Sequence, residues 1–320
     1  MRFSLSGPGF RRRGPAAGLV LAVFALLAFS RPAFAQLAIA SQFDPSASSD
    51  NCGLGVDSAA GEVWVYGCSA ANVDRYSSAG VLLSSVPRPG EVANDVDVEL
   101  STKPFSLAAT VLPSNALLFI NGETGPAEIY AVDKTTGAVL ASLNAAFGAS
   151  HVVGGAYHRA RQSLFLVQDL VPVAADRNRI AEVDVATGAV LNTFQIGATF
   201  SVNFGDLEVC NATGNLIVGS SAENRLAEYT PAGVLVGYHP LPAGVSSVAG
   251  VAIDESNGEI WVTSSAAGGD VFRLAGGPCE PTAVPTLSGP APVVLALLLL
   301  AVGGAVVGAG HLRRARALDA

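Results

Sequence analysis

Short apolar runs of four to six residues, punctuated by Gly, Asn, Asp and Thr, recur through the middle of the chain. No stretch there keeps a helical period, so the pattern predicts β-strands. Gly61-Glu62-Val63-Trp64-Val65 matches Gly258-Glu259-Ile260-Trp261-Val262 near the far end of the region. Looser copies begin at Asn115, Gln162 and Gly214, so the five starts lie 54, 47, 52 and 44 residues apart. A second apolar strand follows each copy, as at Glu128-Ile129-Tyr130-Ala131-Val132. In the first four units a Gly turn and a third strand come next, as at Gly188-Ala189-Val190-Leu191. Another short strand precedes each copy, as at Gly250-Val251-Ala252-Ile253-Asp254. The turns Ser256-Asn257-Gly258, Thr135-Thr136-Gly137 and Pro231-Ala232-Gly233 suit tight reversals, because Gly reaches positive φ at little cost and Asn and Thr bond the local backbone.

Each unit therefore reads as four short strands. Four-stranded units at this spacing predict an all-β fold, a β-propeller in which radial packing buries each blade against its neighbours. A β-sandwich needs no such set of five matching units. Five blades is the direct count, and the 35 residues between Gly80 and Asn115 leave room for a sixth. The fifth unit lacks an outer strand, since the chain runs from Leu274 into Gly276-Gly277-Pro278. Leu37-Ala38-Ile39-Ala40 is expected to supply it, closing the ring and covering an exposed edge.

The two ends read differently. Residues 1–35 hold five Arg and no acid, an apolar run from Leu19 to Phe29, and a small-x-small site at Ala33-Phe34-Ala35. This predicts a secretory signal peptide, cut by signal peptidase between Ala35 and Gln36; an uncleaved anchor is the alternative. Near the other end, Val293 to Gly310 is 18 residues without a charge, followed by His311-Leu312-Arg313-Arg314-Ala315-Arg316. At about 1.5 Å per residue this run makes a transmembrane helix, with the Arg cluster on the cytoplasmic side. The chain thus divides into a signal peptide (1–35), a propeller domain (36–280) and a C-terminal segment (281–320) that enters the inner membrane.

Composition sharpens this division. The whole chain carries 26 acids against 18 bases, a net charge of −8, with only 14% charged residues. Residues 36–288 keep 25 of the acids and 10 of the bases, a net charge of −15. A body this acidic argues against nucleic acid as a partner and favours cations. Four cysteines, Cys52, Cys68, Cys210 and Cys279, lie in the exported part, where an even count suggests disulfides. Cys52 and Cys68 flank the first hairpin symmetrically if Val56 stands opposite Trp64, which predicts a Cys52–Cys68 bond. Cys210–Cys279 follows by elimination.

Little else suggests catalysis. No nucleophile elbow, P-loop or dinucleotide fingerprint occurs. His158 stands where other units place Asp57 or Asp254, a turn position, and His239 before Pro240 reads as a loop residue. Asn211-Ala212-Thr213 reads as a turn. The carboxylates are more informative. Asp95, Asp97 and Glu99 alternate in one expected inner strand, and Asp206 and Glu208 in another. Alternate residues share a strand face, and inner strands line a propeller's channel. Oxygen ligands of this kind suit Ca²⁺, which makes these five acids a candidate metal site; the alternative is the solvated face of half-buried strands.

The Asp-x-x-x-Gly-Glu-hydrophobic-Trp-Val units at Asp57 and Asp254, with the Thr-Gly-Ala-Val-Leu turns, resemble the NHL/YVTN/gluconolactonase-like propellers. Gluconolactonase-like members hold a divalent cation in the channel, so the resemblance implies one here. Val284-Pro285-Thr286-Leu287-Ser288, the apolar run and the Arg cluster resemble the IPTL-CTERM sorting signal of Gram-negative bacteria, with Val284 in place of the usual Ile and no Glu-Trp-Gly after Ser288. That likeness implies an exosortase-like sorting protease as a partner; a plain C-terminal anchor would look much the same. The combined expectation is an exported, surface-sorted propeller that binds a surface ligand or protein, with a metal-dependent lactonase-like hydrolase as the alternative. A quinone-cofactor propeller lacks its usual tryptophan-rich motif, since only Trp64 and Trp261 occur.

Overall fold

Strands buried on both faces need small or apolar residues at every position, and strands at a rim alternate apolar with polar. Both patterns appear. In a computed structural model of the chain, residues 36–280 are described apart from 46–50, 93–95, 102, 115, 174 and 265–268. Asn51–Asp57 is buried throughout, whereas Leu82–Pro87, three strands outward, is mostly exposed.

The described residues are all β, with no helix, and form five four-stranded antiparallel sheets. Blade 1 runs outward through Asn51–Asp57, Glu62–Gly67, Asn72–Ser77 and Leu82–Pro87. Blade 2 comprises Asp97–Leu100, Leu117–Asn121, Glu128–Val132 and Val139–Asn144. Blade 3 comprises Val152–His158, Ser163–Gln168, Arg179–Asp184 and Val190–Gln195. Blade 4 comprises Gly205–Cys210, Asn215–Ser220, Arg225–Tyr229 and Leu235–Pro240. Blade 5 comprises Val248–Ile253, Ile260–Ser264 and Val271–Ala275, and its outer strand is Ala38–Phe43. Ala38 pairs with Ala275 and Phe43 with Val271, so the N-terminal strand closes the ring, as expected.

Five separate apolar cores lie between successive blades, one for each interface of a closed five-membered ring. Inner strands of neighbouring blades touch all the way round. No sixth blade occurs among the described residues. The stretch that left room for it holds the inner strand of blade 2 and a hairpin, Phe105–Leu107 with Thr110–Leu112. Phe105 stacks on Tyr157 at 4.1 Å and Ala108 N–H donates to Val185 O, so the hairpin seals the gap between blades 2 and 3.

The repeated motifs encode this geometry. Asp57, Asp133, Asp184 and Asp254 each accept backbone N–H groups from the following turn, an arrangement that fixes the reversal locally. In the matched Gly-Glu-x-Trp-Val units, Glu259 pairs with Arg273 at 2.7 Å and Arg273 lies over Trp261 at 6.0 Å. Glu62, Arg75 and Trp64 repeat the set at 3.6 and 5.8 Å.

The cysteines pair as Cys52–Cys68 and Cys210–Cys279, with Cα atoms 5.0 and 5.5 Å apart. The register assumed for the first pair is corrected. Val56 stands opposite Val63, and Gly55 opposite Trp64, and a bulge between Asn51 and Gly53 interrupts the ladder beside the disulfide. His239 is likewise no loop residue. It lies in the outer strand of blade 4, buried, with Nε2 3.0 Å from Glu228 Oε2. The signal-peptide residues to Ala35, the motif Val284–Ser288, the run 293–310 and Asp95 fall outside the described residues.

Candidate metal centre on the propeller axis

The inner strands differ by blade. Blades 1, 3 and 5 bring glycines to the ring: Gly53 and Gly55, Gly154 and Gly155, and Gly250. Blades 2 and 4 bring acids at alternate positions: Asp97 and Glu99, and Asp206 and Glu208. Their intervening neighbours Val98 and Leu207 turn away into the interblade cores. The glycines make room for the acids. A Cβ on Gly154 would sit 2.1 Å from Asp206 Oδ1 and 2.8 Å from Asp206 Cα.

Backbone N–H groups orient the two aspartates. Asp97 accepts from Val98 N at 2.7 Å and Gly155 N at 3.3 Å. Asp206 accepts from Leu207 N at 2.5 Å and, across to blade 5, Val251 N at 2.7 Å. Asp97, Glu99 and Asp206 are buried and each offers an oxygen within 4.8 Å of the others'. Oε1 of Glu99 is buried without a hydrogen-bond partner. Glu208 is half-buried and reaches a cavity of about 30 Å³ at the mouth where the inner strands end, which is also lined by Glu99.

Carboxylates packed this closely out of water resist ionisation. Burial, then the charge of Asp206, holds Asp97 well above the usual carboxylate range. Burial and the neighbouring Glu208 do the same to Glu99. Burial pushes Asp206 up to about 7 and Glu208 up to about 8, against the lowering effect of their hydrogen bonds. Without a cation, the pairs Asp97–Asp206 and Glu99–Glu208 favour keeping a proton over ionising fully.

Arg159 and Glu255 also line the mouth; Arg159 Nη2 donates to both Glu255 oxygens, at 2.7 and 2.6 Å, and Asn211 Nδ2 donates to Glu255. These three residues follow the inner strands of blades 3, 5 and 4, and no local pattern marks them as neighbours. The other mouth, lined by Cys52, Val153, Phe204, Gly205 and Ala249, leaves only about 10 Å³. The histidines stand apart from the cluster. His158 Nε2 lies 3.1 Å from Gly214 O, bridging the turns of blades 3 and 4. His151 Nδ1 stands 3.4 Å from Glu123 and 3.8 Å from Asp169.

No family model matches this sequence, and no curated protein matches it either. Solved structures do resemble it. Glutaminyl cyclase from Myxococcus xanthus superposes with a TM-score of 0.53 at 13% identity, covering 75% of this chain and 96% of that one. A catalytically inactive virginiamycin B lyase from Staphylococcus aureus, with quinupristin, gives 0.41 at 16%, covering 71% and 66%. A luciferin-regenerating enzyme gives 0.44 at 13%, covering 71% and 91%. The first likeness shows the propeller fold and nothing finer.

Proposed function

We propose that this protein is an exported, membrane-tethered propeller that serves as a binding module, built around an axial Ca²⁺ held by Asp97, Glu99 and Asp206 with Glu208 at the mouth. The observation that carries the metal is the unpartnered, buried Oε1 of Glu99 inside a cluster whose ligand oxygens lie within 4.8 Å. Oxygens opposed across a Ca²⁺ at about 2.3–2.6 Å stand about 4.6–5.2 Å apart, so the cluster has the size of a calcium shell. A 2+ charge also replaces the shared protons that the buried acids otherwise need.

The surroundings favour a binding role over hydrolysis. The cavity beside Glu99 and Glu208 is about 30 Å³, room for a water or two, and no histidine lines it among the described residues. Two disulfides suit an oxidising compartment, in keeping with export by the basic N-terminal segment. The uncharged run 293–310 is the tether in this reading, with an exosortase-like protease acting on the motif before it. Equilibrium dialysis of the full chain in detergent micelles tests the metal: about one Ca²⁺ binds per chain, and the double variant Asp97→Asn, Asp206→Asn weakens it more than about tenfold. Full retention of calcium by the double variant would place the ion elsewhere.

A further inference from the structure

The apolar side chains left on the surface are not scattered. Among the described residues, thirteen large ones are exposed. Val171, Val173 and Phe204 lie toward one end of the blades, and the other ten lie toward the opposite end, where the inner strands finish at the axial mouth. The registers place them there. Asp57 ends an inner strand and pairs with Glu62, Glu62 pairs with Ser77, and Ser77 N–H donates to Val81 O. In blade 5, Ile253, Ile260, Leu274 and Ile39 form one such row. Every blade contributes: Val81, Val139, Leu191, Val234 and Ile39 are 60, 46, 58, 62 and 37% exposed. Ion pairs set charges at this end against each other, Lys134 with Asp57, Arg159 with Glu255 and Arg161 with Glu182. The last described turn is fixed at the same end. Cys279 is bonded to Cys210, the final residue of an inner strand, and lines a cavity with Arg159, Asn211 and Glu255.

Single exposed apolar residues need no explanation, but a ring of them gathered at one end marks a surface that meets a partner. We propose that this end of the propeller lies against the lipid bilayer that the C-terminal run enters. The occupant follows from where the described chain stops. Thirteen residues, 280–292, separate Cys279 from the uncharged run that begins at Val293. Fully extended they reach about 45 Å, so a tether at that run keeps Cys279, and the end of the blades that carries it, close to the membrane. Valine and leucine side chains from all five blades then enter the boundary between headgroups and acyl chains, and the axial mouth opens toward the headgroups. The inference rests on the tether reading of 293–310 and adds to it which end of the propeller the membrane covers. It does not depend on the axial metal.

Quenching by nitroxide-bearing lipid, on the full chain in phosphatidylcholine vesicles, tests it. A fluorophore is attached at Leu82→Cys or Val234→Cys, at the apolar end, and at Val173→Cys, at the other. The nitroxide is expected to cut emission at 82 and 234 at least about twofold, as for groups seated about 5–10 Å into the headgroup boundary, and to leave 173 unchanged. Leu191→Cys decides the matter if an apolar-end variant fails to fold. Equal quenching at both ends, or none at either, in a chain that floats with the vesicles would overturn the orientation. Emission shielded at 82 and 234 without nitroxide quenching, together with a cross-linked dimer, would assign this end to a second copy of the chain and overturn the lipid as its partner. A chain that does not float with the vesicles loses the tether, and this inference with it, and leaves the axial reading standing.

Discussion

Stripped of calcium, the protein loses stability as pH rises from about 5 to about 8, and its melting temperature falls by roughly 10 °C. The cause is the axial cluster. Asp206 and Glu208 have folded-state values of about 7 and about 8, above ordinary values of 3.8 and 4.5, and Asp97 and Glu99 move the same way. A carboxyl whose folded value is raised contributes stability that is fully present below its unfolded value, near pH 4. That contribution drains away as pH climbs through the folded value, so the loss is concentrated between about pH 5 and pH 8. Carboxylates shifted the other way leave this window alone. Glu182, paired with Arg161 and Ser163, and Glu228, bonded to His239 and Asn215, are lowered; their contributions are present above about pH 4.5 and disappear only in more acid solution. Asp206→Asn flattens the slope, because an amide has no proton to lose. Thermal unfolding monitored by circular dichroism across pH, in EDTA, reads both outcomes; a flat profile in the unsubstituted chain would show that the cluster does not share protons.

Deletion of residues 36–43 abolishes cooperative folding. Among the described residues, Ala38–Phe43 is the only partner of the outer edge of Val271–Ala275. Leu37, just before it, is buried in the core between blades 4 and 5 with Val251 and Leu274. Burying one such leucine is worth about 1.5–3 kcal/mol. Phe43, at the strand's other end, packs on Tyr76 of blade 1 and helps bind the last blade to the first. Without the strand, Val271–Ala275 presents unpaired backbone groups, an edge prone to pairing with other chains. Size-exclusion chromatography is expected to show aggregate or unfolded chain in place of the folded species. A permuted chain that carries residues 36–43 on a linker after residue 280 regains the folded species, since the position of the strand in the sheet matters and its position in the sequence does not. A deletion variant with an unchanged unfolding midpoint would show that the ring does not need this closure.

Much of this architecture is legible because its signals are local. A Gly after Asp-x-x-x fixes a reversal within five residues, and Gly-Glu-x-Trp-Val combines a strand with a residue pair that the adjacent strand completes. Those local signals yield five repeating units, the missing fifth outer strand and the alternating acids of two inner strands. What the sequence conceals depends on contacts between distant segments. The bulge at Cys52 interrupts the hairpin's ladder, and nothing in the pattern of Asn51 to Asp57 announces it. The hairpin at 105–112 is defined by what it covers, Tyr157 and Val185, both in the next blade. Arg159, Asn211 and Glu255 come together only because three blades converge at one mouth. His239 looks like loop beside Pro240, and its burial is set by Glu228 on the adjacent strand. The partnerless oxygen of Glu99 is likewise a product of packing, which composition and periodicity do not encode.

The central claim is that a divalent cation belongs on the axis among Asp97, Glu99, Asp206 and Glu208. Its most direct test is the melting temperature of the full chain at pH 8 in calcium and in EDTA, where the metal-free cluster is most heavily charged and a bound ion matters most. Calcium is predicted to raise the midpoint by at least about 5–10 °C over EDTA, a linkage effect of a few kcal/mol, and the rise is predicted to vanish in the Asp97→Asn, Asp206→Asn variant. Identical midpoints in calcium and EDTA for the unsubstituted protein would contradict it.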